Sequence, residues 1–144
     1  MKRLYFCVWA TIGMIAVFFN GSVVTAFPPF KKSFQEKYVT EGPANLKTAF
    51  KEVKCNVCHQ GKKKKPRNPY GMELSKHLDH DVIKEWRSTK DKDLKKELKQ
   101  KILDGLDKAY EKVEEVESPS GEGTFGERIK KGLLPFAPPP SDSQ

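Results

Sequence analysis

At 144 residues the chain has room for one small domain, and 27 Lys and Arg against 19 Asp and Glu give it a net charge of +8. So basic a balance suits nucleic acid, but no nucleic-acid motif is present and an export leader argues against that partner. A docking face for an acidic protein partner, or solubility alone, accounts for the charge better.

Met1-Lys2-Arg3 makes a short positive start, and Leu4 to Phe19 is almost wholly apolar. Asn20-Gly21-Ser22 breaks the run, and Val24-Thr25-Ala26 offers small residues at a cleavage point. This layout predicts a secretory signal peptide over residues 1–26, and so an exported, periplasmic or otherwise extracytoplasmic protein. The apolar run is short for a spanning helix, which needs about 20 residues; a membrane anchor is the alternative if the segment stays uncleaved. Cleavage would remove Cys7, leaving Cys55 and Cys58 as the only cysteines, and losing Lys2 and Arg3 would leave a net charge of +6.

Phe27-Pro28-Pro29-Phe30 opens the mature chain, and Lys31 to Val39 reads as a short helix with Phe34 and Tyr38 four apart. Thr40-Glu41-Gly42 reads as a turn, with Pro43 at the first position of the next helix. There Leu46, Phe50, Val53 and Val57 recur at steps of four, three and four, an apolar stripe that runs directly into Cys55-Asn56-Val57-Cys58-His59.

That C-x-x-C-H sequence is the attachment signature of c-type haem. On a helical backbone the two thiols share one face, placed to add to the two haem vinyl groups, while the adjacent imidazole turns to the iron. A bare C-x-x-C would also suit a disulfide, a redox dithiol or half a zinc site. In an oxidising compartment a free pair would tend to close on itself, and thioether formation gives it a stable fate. A zinc reading must recruit His77 and His80, whose spacing is too tight for a finger, and leaves His59 unexplained.

Gly61 stops the helix, and Lys62-Lys63-Lys64-Lys65-Pro66-Arg67 reads as an exposed loop. Its start three residues past His59 makes Lys62, Lys63, Lys64 and Lys65 candidates for docking a redox partner. Asn68 begins a helix reaching about Asp79, with Tyr70, Leu74, His77 and Leu78 on its apolar face and Met72 roughly opposite. A further helix follows Asp81, carrying Val82, Ile83 and Trp86, with Trp86 expected in the core. A long helix is predicted from Asp91 to Glu117, striped by Leu94, Leu98, Ile102, Leu106, Tyr110 and Val113, with Ser88 and Asp91 spaced as a capping box. Gly105 weakens it.

Ser118-Pro119-Ser120-Gly121 reads as a flexible break, and Phe125 to Leu134 as a last helix with Phe125, Ile129 and Leu133 on one side. Residues 137–144, with three consecutive prolines, form a predicted disordered tail, which leaves 27–136 as the domain. The sequence contains no alternating strand pattern, no phosphate loop, no repeat and no catalytic constellation; a non-enzymatic protein is expected.

FPPF, CNVCHQGKKKKPRNPYG and TFGERIKKGLLP together resemble a group of small exported bacterial monohaem c-type cytochromes. The resemblance is scattered over nearly the whole mature chain, and only its CNVCH part carries chemistry. It implies an all-α, cytochrome c-like fold around one covalent haem c, with Cys55 and Cys58 as thioether attachments and His59 as proximal ligand to the iron. The function implied is one-electron transfer to an acidic protein partner; the alternative is a haem protein with an open sixth position that senses a gas or acts as a weak peroxidase. The common pattern supplies a distal Met far downstream. Here the only methionine of the mature chain is Met72, 13 residues past His59, so the sixth ligand stays open among Met72, His77, His80 and none.

Overall fold

A computed structural model describes residues 28–61 and 65–137. The expected leader over 1–26, Lys62, Lys63 and Lys64 of the basic loop, and the tail from 138 onward lie outside the described residues. Within them the fold is all-α, with isolated bridges and no strand. Among the described residues, no helix is long and apolar enough to cross a membrane.

The spine is α5 (Lys92–Glu114), which packs against α1 (Pro28–Phe34), α3 (Pro69–Lys76), α4 (His80–Ser88) and α6 (Phe125–Lys130). Leu98, Ile102, Leu106, Tyr110 and Val113 are all buried along it, as the stripe predicts, and Leu94 is half-buried at its start. Gly105 does not interrupt it, because a single glycine costs only about 1 kcal/mol. Five buried side chains at roughly 1.5–3 kcal/mol each outweigh that loss. The start differs from expectation: Asp91 alone caps the helix, accepting from the backbone N–H groups of Asp93 and Leu94. Ser88 belongs to α4, where its hydroxyl donates to the Glu85 carbonyl.

An aromatic cluster fills the space under α5. Phe34 stacks on Phe50 with centroids 5.6 Å apart, and meets Tyr70 and Tyr110 edge-on at 6.0 and 6.3 Å. Phe125 of α6 closes the cluster against Tyr70 at 5.2 Å. The first helical segment begins at Pro28, earlier than expected, and widens after Phe34 into a π-helical turn, Gln35–Val39. Its signature is the Thr40 N–H donating five residues back to the Gln35 carbonyl. Tyr38 thereby reaches across to donate to Glu114 Oε1 at 2.6 Å.

Pro43 is the N-cap of α2 (Ala44–Val53), not its first helical residue. Trp86 is half-buried and stands outside the core, since α4 lies at the periphery and buries no residue fully; Lys95 Nζ sits 4.9 Å over its ring. The C-terminal stretch also departs from expectation. Ser118 to Gly121 is a bonded turn: the Ser118 N–H donates to Gly123, its hydroxyl to Pro135, and Ser120 and Ala137 bond each other. The last helix, α6, ends at Lys130 rather than Leu134, because Gly132 turns the chain at φ +80.

Candidate functional site

The site is built where α2 stops. Leu46 and Phe50 are buried and Val53 half-buried, as the stripe predicts, but the helix does not run into the cysteines. Lys54 breaks it at φ +50 and ψ −110, a conformation that side chains rarely adopt. A 3₁₀ turn, Lys54–Val57, follows, with Cys58 just beyond it and its N–H donating to the Cys55 carbonyl at 3.3 Å. Since residues three apart eclipse on a 3₁₀ turn, Cys55 and Cys58 still share one face. Val57 buries itself as the anchor.

Past the motif the chain makes a pinned loop. His59 bridges Arg67 in antiparallel fashion, and the Gln60 N–H donates to the Pro66 carbonyl at 2.9 Å. Pro66 and Arg67 are thereby held against His59 and Gln60, and Lys65 is exposed. Asn68 then closes the loop onto the motif. Its N–H donates to the Cys58 carbonyl at 3.0 Å, and its Nδ2 donates to the carbonyls of Asn56 and Val57 at 3.1 and 3.0 Å. Its Oδ1 accepts from the Gly71 N–H at 2.8 Å, capping α3. Gly71 lies so close that a Cβ there would run into the Cys58 carbonyl. Sequence reasoning finds Asn68-Pro69 as a helix start; it misses that the same amide holds the cysteine turn.

Cys55, Cys58 and His59 border one cleft. Its walls bring Leu74 and Leu78 from α3 and its end, His80, Ile83 and Arg87 from α4, and Phe30 and Lys31 from α1. Three cations, Lys31, Arg67 and Arg87, line it, and no carboxylate does among the described residues. The cleft's volume is about 130 Å³. An aromatic ligand the size of benzene fills a cavity of about that size, so a larger flat ligand would extend through the open side.

Neither Cys55 nor Cys58 is in a disulfide. The Cys58 thiol is pushed up to about 12, by burial first and by Cys55 second, with Arg67 opposing. It therefore stays protonated near neutral pH. His59 presents a buried Nδ1.

The three candidates for a sixth ligand separate. Met72 is 52% exposed and stands outside the cleft lining, as its phase on α3 predicts. His77 caps the C-terminus of α3, half-exposed, with Nε2 3.8 Å from Glu73 Oε1, and is not part of the lining either. His80 is the first residue of α4; it is exposed, yet it also lines the cleft. Among the described residues no three His, Cys, Asp or Glu side chains gather closely enough to share a metal ion, and the zinc spacing would require His77 to join the cleft.

No protein family, curated protein or solved structure matches the chain.

Proposed function

We propose that the chain is a monohaem c-type cytochrome of cytochrome c-like fold, carrying one electron at a time outside the cytoplasm. The observation that carries this reading is the convergence of Cys55, Cys58 and His59 of a C-x-x-C-H sequence on one cleft. The surrounding residues fit a haem. Leu74, Leu78, Ile83 and Phe30 offer the apolar wall that a porphyrin face needs, and Lys31, Arg67 and Arg87 offer partners for its carboxylates. Covalently held there, haem would supply the one-electron iron couple.

The chain's own part is to hold and orient. Cys55 and Cys58, eclipsed on their turn, are the attachment points, and His59 the proximal ligand. Asn68 and Gly71 fix the turn that carries all three. The basic charge left after loss of a leader favours an acidic protein partner, steered by long-range attraction that salt weakens over about 10 Å at 0.1 M. A redox titration of the exported protein, made in cells with a haem-attachment system, tests the reading. A reversible spectral change is expected, with a one-electron slope of about 59 mV per decade. A protein without iron, or with a spectrum indifferent to reductant, refutes it.

A further inference from the structure

The geometry points to His80 as the second axial ligand of a haem attached at Cys55 and Cys58 with His59 on its other face; the inference rests on the function proposed above. The chain has three histidines, and two of them, His59 and His80, line the same cleft. The remaining lining residues leave no competitor of equal quality. The thiols of Cys55 and Cys58 are committed to the vinyl groups. The guanidinium groups of Arg67 and Arg87 have no lone pair to give, and the Lys31 ammonium would first have to shed a proton, which a neutral imidazole need not. Met72 and His77 stand outside the lining.

The fold presents His80 deliberately. Asp79 caps α4 through the N–H groups of Asp81 and Val82, both at 3.0 Å, which fixes where the helix begins and so where its first side chain points. His80, Ile83 and Arg87 follow at steps of three and four, one helix face turned to the cleft. His80 Nε2 lies 2.9 Å from the Ser75 carbonyl. A carbonyl only accepts, so Nε2 carries the proton there and the lone pair is left on the other ring nitrogen. An imidazole that ligates a metal through one nitrogen while donating to a backbone carbonyl through the other is the arrangement metal sites use to orient histidine.

Two imidazoles on the iron give a lower potential than an imidazole and a thioether, and leave no coordination position open to a gas or peroxide. The chain is thereby committed to carrying electrons rather than to processing a small ligand.

The test uses the full chain, exported with a haem-attachment system, as wild type and as His80→Ala, His77→Ala and Met72→Ala. Haem that stays with the denatured polypeptide is read first. If wild type holds none, the haem reading falls, and this inference with it. With haem in place, ferric spin state and imidazole titration decide the ligand. Wild type should be low-spin, and His80→Ala should keep its haem and helix content but become high-spin. Added imidazole should restore the low-spin form, with a dissociation constant at least about tenfold below that of wild type, because no internal ligand competes. His77→Ala and Met72→Ala should match wild type, and His80→Met should stay low-spin at a raised potential. A low-spin His80→Ala with unchanged imidazole affinity, or the spin change in either control instead, overturns the assignment.

Discussion

Asn68 concentrates the most work in one side chain. It is 1% exposed, and its amide spends both sides on structure: the NH₂ on the carbonyls of the cysteine turn, the oxygen on the cap of α3. Asn68→Ala should cost about 2–4 kcal/mol, combining the lost cap with carbonyls left unpaired in a buried place. Asn68→Asp separates the two roles. It keeps the capping oxygen but turns an acceptor on Asn56 and Val57, so it should destabilise about as much as alanine while α3 remains capped. Urea unfolding of the pair checks this; an Asn68→Asp protein as stable as wild type would deny the grip on the cysteine turn. Gly71→Ala drives a methyl into the Cys58 carbonyl and should cost about 1–3 kcal/mol by overpacking. Haem incorporation should fall with it, and full incorporation at unchanged stability would show that the close approach is dispensable. Of these residues the sequence announced only the cap, since Asn before Pro is a local signal. The grip on Asn56 and Val57 spans 12 and 11 residues and has no periodic trace. Lys54 was equally hidden, because a lysine at positive φ answers to no propensity rule.

At the scale of elements, legibility followed burial. The α5 stripe was readable because one face is buried along most of its length, which forces a 3.6-residue repeat on the sequence. By contrast α4 buries nothing fully, so its sequence carries no clear stripe and Trp86, expected in the core, stands half-buried outside it. The segment after α5 differs from its sequence pattern for another reason. Ser, Pro and Gly read as a loose linker, yet its order comes from Arg128, a residue four positions into α6. Arg128 is 4% exposed; its Nε donates to the Leu134 carbonyl at 3.0 Å and its Nη1 to the Gly121 carbonyl at 2.8 Å. It draws the turn before α6 and the chain after it onto one point. Replacing it with alanine orphans two carbonyls and should cost about 2–4 kcal/mol. Amide exchange should accelerate first at residues 118–123 and 133–137. Uniform exchange, or none, would mean that the turn holds without Arg128.

Among the described residues, three tyrosines in or against the core have their ionisation raised by burial: Tyr38, Tyr70 and Tyr110. For Tyr38 the hydrogen bond to Glu114 adds to burial. An unfolded tyrosine ionises near 10, whereas these stay protonated in the fold, so the folded state holds more protons above that pH. Their stabilising contribution is full below about pH 10 and is lost as pH climbs toward the folded-state values. The two well-buried groups, Tyr70 and Tyr110, imply a slope of up to about 3 kcal/mol per pH unit, and the part-exposed Tyr38, screened by solvent, adds less. Far-UV circular dichroism should therefore show a steep, cooperative loss of helix above pH 10, with tyrosinate absorbance rising in step. Tyrosinate appearing before the helix is lost would place these hydroxyls in water.

The central claim is that the cleft holds haem through two thioether bonds, and the most direct measurement is the mass of the denatured, acid-extracted polypeptide. Exported wild-type protein should retain one haem per chain after extraction, while the double variant Cys55→Ala, Cys58→Ala should retain none. Each single variant should hold haem by one bond or lose it. Wild-type protein that releases all its haem on extraction would contradict the account.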